Sequence, residues 1–219
     1  MLKRLLPYFA LVSLLIVGAY ATFNLMQDTA NEEPVTEKQQ TQKSQPEAKT
    51  SPQKKTESPY LIPIAEFNER ATKKQFGLYV TPSNSPTPPE KFSGYHTGVD
   101  VEYSDVTKAV PIRAISDGTV AYSGWVSGYG GVVLITHGVK GAPRTVLYGH
   151  LSTSSLPAVG DTVKKSQKIG QLGEDRSSDT DGERKHLHFA LLSGARQDFR
   201  GYVAEKSQLS GWLDPLSLS

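Results

Sequence analysis

Seventeen of the nineteen glycines fall between Gly94 and Gly211. Between them the apolar residues come in short alternating runs. A chain interrupted this often cannot sustain long helices. Alternation with period two, bounded by Gly, Asp-Gly and Pro, predicts short strands instead. GVDVEY (98–103), GVVLITHG (131–138), RTVLYGHL (144–151) and HLHFALLSG (186–194) each read as one strand. PIRAISDGTVAYSGW (111–125) reads as two strands joined at Asp117-Gly118, a tight-hairpin signal. GDTVKKSQKIGQLG (160–173) reads as a shorter strand pair. Helical spacing occurs in LIPIAEFNERATKKQ (61–75), through Ile64, Phe67 and Ala71. The expected fold is mainly β, an antiparallel sandwich or split barrel.

The first 25 residues differ in kind. MLKR brings two positive charges, and Leu5 to Phe23 then runs nineteen residues without a charge. About 20 apolar residues span a bilayer as a helix. This segment is expected to be a membrane anchor or a signal segment. Ala19-Tyr20-Ala21 resembles a small-x-small cleavage site, whereas the length favours an anchor, which we prefer. Positive charges ahead of the span place the N-terminus in the cytoplasm. The expected location is therefore the cell membrane, single-pass, with the C-terminal domain extracytoplasmic; secretion after cleavage is the alternative.

Residues 26–59 are expected to be a disordered linker. From Asn31 to Pro59, prolines aside, only Val35 and Ala48 are apolar. Such a stretch buries too little surface to offset its ordering entropy. A flexible tether of this length spans roughly 30 to 35 Å. Residues 60–91 are expected to form an extension of the folded domain, and 92–219 the domain itself, large enough for a core of its own.

With a net charge of +2, the chain lacks the basic excess of a nucleic-acid binder. It has no cysteine, so any metal must be held by His, Asp or Glu. The five histidines are His96, His137, His150, His186 and His188. His96 precedes Asp100 by four residues, so in an extended chain the two point to one face. Val99 and Val101 flank Asp100 and are expected in the core. His186 and His188 share a strand face, with Leu187 and Phe189 on the other. A catalytic zinc commonly takes three protein ligands plus water. His96, Asp100 and one of His186 or His188 make such a set. The other member of the pair and His150 then remain for proton transfer.

These strings, GYHTGVDVE, LITHG, LYGHLS, GDTVKKSQKIGQLG and HLHFAL in that order, resemble the lysostaphin-type (LytM-like) zinc endopeptidases that cut peptidoglycan. The resemblance covers about Phe92 to Leu216. It implies an antiparallel β core with a groove and one zinc ion held by His96, Asp100 and His188. It implies catalytic roles for His150 and His186, and a peptidoglycan peptide as substrate. It also admits a non-catalytic activator or binding module, since some relatives regulate other wall hydrolases, and a carboxypeptidase trimming peptide ends.

The chain departs from the family pattern ahead of the histidine pair. A Gly-Pro lead is usual there; here GEDRSSDTDGERK (173–185) ends in Arg184-Lys185. Ala190 stands where a glutamate is usual. The acids Glu174, Asp175, Asp179, Asp181 and Glu183 read as a solvated loop or as a site for a substrate amine. His137 shares a face with Val133 and Ile135 and reads as structural. Tyr95 and Tyr148, beside site residues, read as packing groups or as donors to a developing oxyanion.

Overall fold

The computed structural model describes residues 60–139 and 141–218. The expected anchor and linker lie outside these residues. Among the described residues no helix is long and apolar enough to cross a membrane.

Among the described residues the single α-helix, α1, is one turn, Phe67–Arg70. The strands follow as β1 (Tyr79–Val80), β2 (Gly94–His96), β3 (Val99–Glu102), β4 (Pro111–Arg113), β5 (Gly118–Val126) and β6 (Gly130–Val139). Then come β7 (Ala142–Leu151), β8 (Thr162–Val163), β9 (Lys168–Gln171), β10 (His186–Leu192), β11 (Tyr202–Val203) and β12 (Trp212–Leu213). The fold is mainly β, and every strand pair described is antiparallel. A seven-stranded sheet runs β12-β10-β7-β6-β5-β8, with β3 also on β10. A three-stranded sheet, β1-β2-β11, and the pair β4-β9 complete the set. The large sheet is an open path and does not close into a barrel.

Three local expectations are corrected. Helical spacing over 61–75 yields only the turn of α1, although Ile64, Phe67 and Ala71 do enter the core. Asp117-Gly118 is not a hairpin turn: β4 pairs with β9, and β5 with β6 and β8. The Asp117 carboxylate instead accepts from the Lys165 amide and the Lys164 ammonium. Segment 160–173 supplies two strands, but β8 and β9 pair with different partners. Asp-Gly fits a tight turn, yet long-range pairing decided which strands meet.

β10 is buried along its whole length. Leu187, Phe189 and Leu191 enter one apolar cluster with Val99 and Val101 of β3. Ala190 and Leu192 enter a second cluster on the opposite face with Leu134 and Leu147. His186 and His188 lie on this second face, so apolar packing beneath and alongside fixes their strand. Gly98 makes the approach of β3 possible: a Cβ there would lie 2.5 Å from the Phe189 carbonyl oxygen.

Candidate metal centre

The register of β10 assembles the site. His188 stands opposite Asp100, and His186 opposite Glu102. On its other edge His188 faces Gly149 of β7. His96 arrives from a different sheet. It ends β2, and Thr97-Gly98 turns the chain into β3. The two residues therefore converge across a bend between sheets, not along one extended strand as the spacing suggested.

Three side-chain atoms form a near-equilateral triangle. His96 Nε2 lies 3.1 Å from His188 Nδ1 and 3.2 Å from Asp100 Oδ1. His188 Nδ1 lies 3.0 Å from Asp100 Oδ1. All three residues are buried. Hydrogen bonding alone leaves the triangle short of protons. The His96 Nδ1–H donates to the Gln75 carbonyl at 3.3 Å, so in the neutral ring Nε2 carries a lone pair. His96 Nε2 and Asp100 Oδ1 then face each other as two acceptors. A shared cation removes that conflict. Tetrahedral ligands about 2.0–2.1 Å from zinc sit about 3.3 Å apart, close to the edges of this triangle. A carbonyl holding the far nitrogen of a ligating histidine is also the usual supporting contact. The donor set, two imidazoles and a carboxylate, thus fits zinc.

The other two histidines lie beside the triangle. The His150 and His186 rings stack with centroids 4.2 Å apart, tilted by 38°. The His186 Nδ1–H donates to the Arg184 carbonyl at 2.8 Å, which leaves Nε2 as acceptor, 3.4 Å from Asp100 Oδ2. His150 reaches the site through a bulge. Gly131 pairs with Leu151 and Val132 with Gly149, so His150 has no opposite residue. Its φ is 64°. Regular alternation would put His150 beneath the sheet with Tyr148; the bulge turns it to the other face.

Burial pulls His150 down to about 3, and it also holds His186 well below the ordinary imidazole value. Burial alone would raise Asp100, but the surrounding imidazoles, His186 and His96 foremost, hold it well below the usual carboxylate range. Near neutral pH the ionised Asp100 therefore lies beside a neutral His150 and a neutral His186.

A cleft of about 320 Å³ opens over these residues, lined also by Tyr129, Arg184, Glu90 and Phe92. Among the described residues the Tyr129 hydroxyl and His150 Nδ1 are buried with no hydrogen-bond partner. The extension 60–91 is part of the site. Its Gln75 supports His96, its Lys74 carbonyl accepts from the Asp100 amide, and its Lys74 and Glu90 form a buried ion pair at the cleft.

His137 is structural, as its position among Val133 and Ile135 suggests. It bonds the Asp117 carbonyl through Nδ1 and the Tyr148 hydroxyl through Nε2, each at 3.1 Å. Tyr148 is thereby tied into the core and is no oxyanion donor. Tyr95 packs on Tyr79 instead. The acidic segment is not a free solvated loop. Asp179 accepts from Ser152 and Thr153, Asp181 from the Gly128 amide, and Asp175 from the Lys185 amide. Glu174 pairs with Lys185, and Glu183 with Lys91.

Residues 94–199 match the profile described as Peptidase family M23. The chain carries a peptidase family M23 domain, and the resemblance read from its histidine motifs holds. It is 36% identical over 102 residues to the glycyl-glycine endopeptidase ALE-1 of Staphylococcus capitis, covering 47% of this chain and 26% of that protein. Over 67 residues it is 39% identical to the murein hydrolase activator EnvC of Escherichia coli (strain K12), covering 31% of this chain and 15% of that one. It thus spans about a quarter or less of these curated relatives. Among solved structures, the catalytic domain of lysostaphin from Staphylococcus simulans aligns with a TM-score of 0.48 at 25% identity, covering 69% of this chain and 92% of that chain.

Proposed function

We propose that this domain is a zinc-dependent endopeptidase that hydrolyses peptide cross-links or stems of bacterial peptidoglycan. One observation carries the reading: three buried donors at mutual distances of 3.0–3.2 Å, with two further neutral histidines lining the cleft beside Asp100 and His188. ALE-1 is a glycyl-glycine endopeptidase and EnvC a murein hydrolase activator, and the two likenesses together support this substrate class. The uncharged stretch from Leu5 to Phe23 supports an anchored domain working outside the membrane.

His96, Asp100 and His188 would hold one zinc ion. Bound there, zinc supplies Lewis acidity that polarises the scissile carbonyl and acidifies water. The remaining work belongs to side chains. His186 offers an unprotonated Nε2 and accepts the proton of the attacking water. His150, tilted beside it, orients that water, and the proton taken up by His186 passes by way of His150 to the leaving amine. The Tyr129 hydroxyl, buried at the cleft, is placed to donate to charge growing on the carbonyl oxygen. The cleft walls exclude bulk water and so strengthen each of these interactions.

The similarity to EnvC favours a second reading, a module that activates wall hydrolases without cutting. Retention of all five site residues weighs against it.

Digestion of purified peptidoglycan of known cross-link chemistry separates the readings. The full chain with one equivalent of zinc is expected to release internally cleaved peptides, identified by mass. His96→Ala is expected to release none. Uncut wall with zinc bound supports the activator, and trimming of single terminal residues supports a carboxypeptidase.

A further inference from the structure

Arg184 and Glu102 have no assigned role in metal binding or proton transfer, yet both are buried beside the triangle. The Arg184 Nη2 donates to Asp100 Oδ2 at 2.8 Å and to Glu102 Oε1 at 2.7 Å. Its Nε donates to Glu102 Oε2 at 2.9 Å. One planar guanidinium therefore bridges two carboxylates on the same face of β3. Asp100 meets the two histidines with Oδ1, and Arg184 occupies the other oxygen.

We propose that Arg184, held in place by Glu102, is a positioning residue that presents Asp100 to the zinc ion through Oδ1 alone. This rests on the zinc reading above. Second-sphere partners of this kind orient a ligand without touching the metal.

Charge balance explains why two residues are needed. A lone arginine at 2.8 Å would cancel the Asp100 charge and repel an incoming dication. Glu102 restores the balance: two carboxylates and one guanidinium sum to one negative charge, that of a single aspartate. The bridge thus fixes the carboxylate's direction and leaves its charge intact. A buried guanidinium without Glu102 would also lack a partner for Nε. Lysine cannot replace it, because one ammonium lacks the planar fork that serves two carboxylates together.

Positioning and mere proximity predict opposite signs. If Arg184 is only a nearby positive charge, removing it tightens zinc binding. If it positions Asp100, removing it weakens zinc binding despite the gain in negative charge. Zinc affinity of the full chain, measured by competition with a chromophoric chelator, distinguishes them. Arg184→Gln is expected to weaken zinc roughly 10- to 100-fold, the usual effect of losing such a partner. Arg184→Lys keeps the charge and is expected to stay nearer the Gln variant than the parent. Melting of the metal-free chains controls for a folding defect; if Arg184→Gln does not fold, Arg184→Lys carries the same decision. Parent-like or tighter zinc binding in either variant overturns the proposal. A parent chain that holds no zinc overturns the zinc reading itself and this inference with it.

Discussion

His96 Nε2 and His188 Nδ1 lie 3.1 Å apart, although 92 positions of chain separate them. The contact exists because β2 and β10 belong to different sheets that meet at Gly98. Two ring nitrogens and a carboxylate oxygen held this close form a site for a cation more readily than a hydrogen-bond network, because one proton cannot serve three contacts.

Zinc affinity should depend on pH. A ligating imidazole must be neutral, so protons compete with the metal. Burial holds the His188 ring below the ordinary imidazole value, so affinity is expected to hold at neutral pH and to weaken as pH falls below about 6.5. A titration in which acid never weakens zinc binding contradicts histidine ligation.

The metal-free fold should also be acid-sensitive. His150 and His186 are neutral in the folded state, with values lowered by burial, and ordinary in the unfolded chain. Below about pH 6.5 the unfolded state takes up protons that the folded state refuses, so stability falls with pH. For His150 this loss continues down to about 3. Each such histidine contributes a slope of about 1.4 kcal/mol per pH unit within its window. Urea unfolding of the zinc-free chain at pH 7.5 and 5.5 measures it; equal midpoints contradict buried neutral histidines.

Gly98→Ala should damage both fold and site. The added Cβ meets the Phe189 carbonyl oxygen at 2.5 Å, and backbone cannot swing aside as a flexible side chain does. Overpacking of this kind costs about 1–3 kcal/mol. Gly98 lies between His96 and Asp100, so weaker zinc binding should accompany the lower melting temperature. A variant with parental stability and affinity would show that β3 can retreat from β10.

His150→Asn should separate turnover from structure. His150 holds a positive φ, which asparagine adopts more readily than most residues. Hydrolysis is expected to fall by roughly 10²- to 10⁴-fold, the range for a lost general acid or base. Bound zinc and melting temperature should stay close to the parent. Loss of zinc in this variant would move His150 into the ligand set.

The sequence showed the strands that carry the site, because β3, β6, β7 and β10 are continuous apolar or alternating runs whose burial is decided locally. It also brought His96, Asp100, His150, His186 and His188 into one constellation, and resemblance to a family divided their roles. Other features were not legible. Nothing in the spacing marks His150 as a bulge residue; its side-chain direction depends on register against β6. Glu102 and Arg184 are 82 residues apart and meet only through the β3–β10 pairing. Tyr129 lies in a Gly-rich turn that reads as a connection, not a cleft wall. Gln75 supports His96 through its backbone carbonyl, an atom every residue has, so its side chain gives no signal. Asp117-Gly118 misled because local turn chemistry was overruled by distant strand partners.

In the proposed function, labour divides along β10: His188 would hold metal and His186 would move protons. Zinc content and peptidoglycan hydrolysis, measured together on His188→Ala and His186→Ala, test it most directly. His188→Ala is expected to lose zinc and activity together, whereas His186→Ala is expected to keep stoichiometric zinc and lose turnover. Equal loss of zinc in the two variants would contradict it.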